Sequence, residues 1–156
     1  MIYSCLYNAP IIYYALILHE GSSFTVEQHD HYTKQTYRNR CRILGGNGVI
    51  DLAIPVVKNH GKRTFMKDII IDEESPWRAI HWKSINSAYA SSPFFEFVSD
   101  YYLPLYSKKQ KYLIDFNCKL LSVTLELLNI GLKYSLSDSF KPSDSSTDLR
   151  ESIHPK

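Results

Sequence analysis

Ile2-Tyr3-Ser4-Cys5-Leu6, then Asn8-Ala9-Pro10, then Ile11-Ile12-Tyr13-Tyr14-Ala15-Leu16-Ile17-Leu18-His19-Glu20-Gly21 is the stretch on which the fold turns. Ile2 to Leu6 reads as a short strand. Pro10 suits the first turn of a helix, where an N–H has no partner to lose and a fixed φ is already helical. Gly21 ends that helix. Ser23 to Glu27 is β-rich and reads as a second strand. Strand, helix and strand in this order predict a parallel, right-handed crossover. The Asn8-Ala9-Pro10 turn and the residues after Glu27 then open at the same carboxyl-end edge, where open α/β sheets place their ligands.

Further along, Gly45-Gly46-Asn47-Gly48 is a strong turn signal. After it, Val49 to Val57 alternates with Ile50, Leu52, Ile54 and Val56 on one face. Pro55 places that strand at an edge or a bulge. Lys58 to Thr64 reads as a basic loop, and Lys67 to Asp72 as containing another strand. From Pro76 the period changes, with Trp77, His81, Ile85 and Ala88 on one helical stripe. Ser92-Pro93 opens another helical segment that Pro104 should end or kink. Ser107-Lys108-Lys109-Gln110 has capping-box spacing before a long helix that Gly131 stops. Tyr134 to Leu136 suits a last strand. The expectation is one α/β (mixed α+β) domain over residues 1–140. A small mixed sheet, mainly from the N-terminal half, packs there on helices mainly from the C-terminal half. Residues 141–156 read as a polar, flexible tail.

The chain has 156 residues, enough for one domain that buries roughly 70% of its unfolded surface. A net charge of +2 is too small to point to nucleic acid or a membrane surface, so any electrostatic message is local. Three cysteines without CxxC spacing indicate neither a disulfide framework nor a zinc ribbon. No run approaches the roughly 20 apolar residues a bilayer requires. The expected setting is therefore cytoplasmic, with no integral membrane segment.

The richest chemistry lies in Glu27-Gln28-His29-Asp30-His31-Tyr32-Thr33-Lys34-Gln35-Thr36-Tyr37-Arg38-Asn39-Arg40-Cys41-Arg42. Arginine grips phosphate or carboxylate bidentately and lysine adds a mobile charge, so Lys34, Arg38, Arg40 and Arg42 are candidate ligand contacts. The structural alternative is that some of these arginines pair with Asp30, Glu27 or Asp51. In an extended segment Arg38, Arg40 and Arg42 point together, and Asn39 and Cys41 point the other way. Glu27 and His29 are candidate proton-transfer groups at a strand end. Tyr32, Tyr37 and Asn39 are suited to orient a ligand by hydrogen bonds. His29-Asp30-His31 has an H-x-H form, but no second ligand pair supports it, and neither a metal nor a cofactor is expected. Cys41 between two arginines invites a thiolate reading, against which an inert buried thiol weighs more. His81 reads as a core histidine, while Trp82 and Lys83 lie to one side as a candidate wall for a sugar face. Asn59 to Thr64 lacks the spacing of a P-loop.

Three blocks resemble the WbqC-like family of bacterial proteins: Tyr37-Arg38-Asn39-Arg40-Cys41-Arg42-Ile43, Ile54-Pro55-Val56, and Trp77-Arg78 through His81-Trp82-Lys83 to Tyr89. The Tyr112 to Ile130 helix fits the same pattern, and the likeness extends from about Phe24 to Leu136. The resemblance implies a part in bacterial surface polysaccharide or glycolipid assembly without supplying a settled reaction. Asn8-Ala9-Pro10-Ile11 stands where such proteins usually have a Gln-Pro-x-Tyr-like turn, and many have Asn at the place of Cys41 and Gln at that of His31. They also commonly continue past residues 149–156.

Two functions lead, with a nucleic-acid-binding module third because the net charge is modest and no helix-turn-helix or RNP signature is present. One is a group-transfer enzyme placing an acyl or aminoacyl group on a nucleotide-linked sugar. The other is a non-catalytic glycan-assembly or sugar-binding protein. Both take a small, phosphate-bearing sugar as partner, and neither involves nucleic acid.

Overall fold

A computed structural model describes residues 1–21, 23–57, 63–140, 148–150 and 153. Strand β1 (Ile2–Ser4), helix α1 (Ile11–Glu20) and strand β2 (Phe24–Glu27) form the expected unit, with β1 and β2 paired in parallel. Pro10 stands just before α1, one place ahead of the first turn, its carbonyl accepting from the Tyr13 N–H, and Gly21 leaves the helix at φ 62°, its N–H bonded to the Leu18 carbonyl. Tyr13, Tyr14 and Ile17 form the buried face of α1. The Tyr13 hydroxyl donates to the Ser4 carbonyl at 3.0 Å and fastens the helix to the end of β1.

A hairpin follows, β3 (Arg40–Gly45) and β4 (Gly48–Ala53), closed by the glycine turn. The alternation predicted for β4 holds: Leu52 and Ile54 are buried, Asp51 and Ala53 exposed. The strand ends two residues before Pro55, whose missing N–H cannot extend a ladder. Helices α2 (Trp77–Tyr89), α3 (Phe95–Ser107) and α4 (Leu113–Leu127) come next, and β5 (Tyr134–Leu136) pairs in parallel with β2. The chain is thus a mixed α+β domain. Among the described residues the single mixed sheet resolves into two, a parallel sheet in the order β1-β2-β5 and the antiparallel hairpin.

Local expectations fail where tertiary contacts override them. Lys67 to Asp72 forms no strand; Met66–Asp68 is a 3-10 turn, and Ile70 and Ile71 make only isolated bridges to Tyr112 and Val56. Ser107 caps nothing: it is the last residue of α3, its hydroxyl donating back to the Leu103 carbonyl at 2.9 Å. α4 ends before Gly131 because Asn129 takes the left-handed conformation at φ 52°. Its N–H reaches the Glu126 carbonyl and that of Ile130 reaches the Leu125 carbonyl, a Schellman stop sealed by buried Leu125 and Ile130. Pro104 does not end α3, because an exposed proline near the last turn forfeits only one backbone bond.

The core centres on Phe116, fully buried, with Tyr7, Trp77 and Tyr106 at ring-centroid distances of 6.1, 5.4 and 5.5 Å. The Arg78 guanidinium lies 4.5 Å over Trp77 and bonds Glu73, Gln110 and the Leu105 carbonyl, tying the start of α2 to the end of α3. Residues 141–147, most of the expected tail's first half, lie outside the described residues. Asp148–Arg150 dock beside β1, where the Leu149 N–H donates to the Ile2 carbonyl at 3.1 Å.

Candidate functional site

The polar run folds mostly inward. Glu27, 1% exposed, accepts from the Ser137 hydroxyl at 2.5 Å and from the His29 N–H at 2.7 Å, both on Oε1. Its Oε2 lies 4.0 Å from the Arg150 guanidinium. Arg38, 3% exposed, donates to Asp30 at 2.9 Å and to the Ser4 hydroxyl at 3.1 Å. Ser4, Glu27 and Ser137 stand at the carboxyl ends of β1, β2 and β5. The edge predicted to hold a ligand thus carries the protein's own buried charges, each opposed by a partner as burial requires. Arg150 holds the Asp148 carboxyl below its ordinary range through a side-chain hydrogen bond.

The three arginines do not share a face. Arg38 lies in the turn before β3, so its side chain escapes the strand's alternation and goes to the sheet edge. Arg40 and Arg42 are exposed, and Arg42 pairs at 2.9 Å with Asp51, directly opposite on β4. Asn39 is buried, its Nδ2 donating to the Ile54 carbonyl while the Ile54 N–H returns to Asn39. Tyr32 is half-buried and its phenol is pushed up to about 12 by burial, with Arg40 and Arg38 opposing. Tyr37 supplies its carbonyl to the Tyr7 N–H. His29 is half-buried, and Lys34 and Lys83 are exposed. Cys41 is buried, its thiol pushed up to about 12 by desolvation, so its flanking cations leave it a thiol.

An open cavity of about 310 Å³ lies elsewhere, between the hairpin, α2 and α3. Ile43, Trp82, Ile85, Phe95 and Val98 give it apolar walls; Asn8 and Arg42 are among its few polar groups. Of the residues expected from sequence, Arg42 and Trp82 line it. Glu27, His29, Tyr32, Lys34, Tyr37, Arg38, Asn39, Arg40 and Lys83 do not. The Tyr89 hydroxyl accepts from the Leu44 N–H at 3.2 Å and joins the hairpin to α2. The cavity's α3 wall carries no signal in the sequence, where Phe95 and Val98 look like any apolar helix positions.

Behind Asn8 runs a buried polar chain. Asn8 Nδ2 donates to the Tyr106 hydroxyl at 3.0 Å, Tyr106 and Tyr7 share a 2.9 Å bond, and Tyr7 meets His81 Nδ1 at 2.8 Å. The Asn8 amide only donates here, and Tyr106 can pass its own proton to Tyr7 and Tyr7 to His81. His81 Nδ1 then accepts, and the Ala53 backbone holds the ring's other side. Burial lowers the His81 pKa to about 4 and raises that of Tyr7 well above its ordinary value. The chain therefore works neutral at pH 7, with His81 as its accepting end.

A pH dependence follows from that sign. His81 protonates near 6.5 when unfolded and near 4 when folded, so between those values the unfolded chain binds more protons. Its contribution is complete above pH 6.5 and is lost as pH falls through 4, about 3 kcal/mol in all. Urea midpoints at pH 7 and pH 4.5 should fall steeply for the wild type and less for His81→Gln. Equal slopes would show that His81 is not the titrating group.

One family model, described as the WbqC-like protein family, matches residues 7–154. The uncharacterized protein Rv1507c of Mycobacterium tuberculosis is 25% identical over 118 residues, covering 75% of this chain and 51% of that protein. The chain thus spans about half of that relative's length. No solved structure matches it significantly. Among the described residues no helix is long and apolar enough to cross a membrane.

Proposed function

The chain belongs to the WbqC-like protein family, and from that premise we propose that it handles an acylated sugar phosphate during assembly of a bacterial surface glycan, in a group-transfer step. The observation that carries this reading is the cavity beside Trp82. Its volume of about 310 Å³ is at the small end for ligand sites, which suits a medium acyl chain rather than a whole nucleotide sugar. Its apolar walls would bury the chain. Arg42, with exposed Arg40 two residues away on β3, would meet the phosphate, and Asn8, whose Nδ2 already serves Tyr106 and Cys41, would accept from a sugar hydroxyl on its Oδ1.

A second reading, binding without turnover, has its own support. Glu27 is enclosed by Ser137 and His29, and neither Glu27 nor His29 lines the cavity.

Isothermal titration with octanoyl-glucosamine 1-phosphate is the test. Each methylene removed from the acyl chain should cost about 0.8 kcal/mol, so a hexanoyl probe should bind roughly tenfold more weakly. Val98→Trp, which fills the cavity, should weaken the octanoyl probe by at least about tenfold. Equal binding of the acylated and non-acylated sugar phosphates would sink the proposal. Release of free octanoate, or its transfer to an added amino sugar, would decide for turnover over binding alone.

A further inference from the structure

Cys5, the residue after β1, and Cys118, midway along α4, bring their sulfurs to 3.8 Å across 113 residues of sequence. The geometry points to a peroxide-responsive cysteine pair in which Cys118 is oxidised first and Cys5 resolves it as an intramolecular disulfide. The two thiols are unequally placed. Cys5 is buried, its S–H also within 3.9 Å of the Ile114 carbonyl. Cys118 is half-buried and lines a surface cleft of about 410 Å³ with Asp115, Lys119, Ser122 and Tyr134, which brings a small oxidant to this residue and not to buried Cys5. The contact with Cys5 favours the Cys118 thiolate, whereas the same contact and burial hold the proton on Cys5. Nucleophilic attack requires the thiolate, and accessibility favours the same sulfur.

The chemistry balances. The Cys118 thiolate attacks a hydroperoxide, the O–O bond breaks, and an S–O bond forms, leaving a sulfenic acid and releasing an alcohol (water, from hydrogen peroxide). Cys5 then attacks the Cys118 sulfur as the S–O bond breaks, and the Cys5 proton leaves with the hydroxyl as water. Two thiols are oxidised and one peroxide is reduced. Closing from 3.8 Å to a disulfide's ~2.05 Å moves the sulfurs together by about 1.8 Å, within reach of side-chain rotation. Cys41 is on the far side of this chemistry, buried against Asn8 at 3.8 Å and held as a thiol.

The full chain is treated with hydrogen peroxide, denatured, alkylated and mapped by mass spectrometry without reduction. The expected product is about 2 Da lighter before alkylation, carries one linked pair of Cys5 and Cys118 peptides, and has Cys41 alone alkylated. In Cys5→Ser, dimedone should trap the Cys118 sulfenic acid as the major species, whereas the wild type should yield only traces. Three alkylated thiols after treatment would overturn the proposal. So would sulfinic or sulfonic acid at Cys118 with Cys5 still reduced, or a Cys118 bond between two chains. The wild-type mapping decides even if Cys5→Ser fails to fold.

Discussion

Arg38→Ala should destabilise the fold by about 3 kcal/mol, which for a chain of this length is a fall in Tm of roughly 6–12 °C. The guanidinium is almost wholly enclosed and bridges Asp30 to the Ser4 hydroxyl, so alanine leaves a carboxylate without its cation and a strand-end hydroxyl without its donor. Arg38→Lys should recover only part of the loss, because one planar nitrogen, Nη2, meets both Asp30 and the Ser4 hydroxyl in fixed directions that a tetrahedral ammonium on a different stem does not match. Arg42→Ala, four residues on, should change stability by less than about 1 kcal/mol. Its partner Asp51 is exposed and solvent screens the pair. The same substitution should weaken binding of an acylated sugar phosphate. Thermal melts of the three variants check the first part, and titration of Arg42→Ala the second. A stable Arg38→Ala that has lost ligand binding would restore Arg38 to the ligand site.

Phe116→Ala should cost about 3–5 kcal/mol. Phe116 is completely buried and its ring meets Tyr7, Trp77 and Tyr106, with the Arg78 guanidinium 5.1 Å from its face. These neighbours come from the β1 exit, α2 and α3, so they cannot collapse into the void together. Phe116→Leu, which keeps most of the volume, should cost less than half as much. Because Tyr7 and Tyr106 position Asn8, any folded Phe116→Ala should also bind the acylated probe more weakly. Urea unfolding of both variants measures the first effect. Equal costs for the two substitutions would mean that leucine's bulk replaces nothing and that the ring contacts, not the filled volume, carry the stability.

The first strand, helix and second strand were legible because local signals agreed: Pro10 at the start, Gly21 at φ 62° at the end, and an apolar face between. The end of α4 was not, because Asn129 supplied the left-handed residue that glycine more often supplies. The 3-10 turn at Met66–Asp68 was also hidden, since Ile69, Ile70 and Ile71 look like a strand until their partners are known. At the candidate site the polar run carried two messages in one composition. Arg42 faces outward from a strand and Arg38 turns inward from the turn before it. Nothing in the residue types separates them, and only the point where β3 begins does. The cavity itself joins Asn8, the hairpin, α2 and α3, four segments far apart in sequence, so no spacing rule could assemble it.

A crystal structure of the chain soaked with octanoyl-glucosamine 1-phosphate tests the central claim most directly. The account predicts acyl carbons within about 4.5 Å of Trp82, Phe95 and Val98, the phosphate on Arg42, and Arg38 still bound to Asp30 and Ser4. Ligand lodged instead at the ends of β1, β2 and β5, with Arg150 displaced from Glu27, would contradict it.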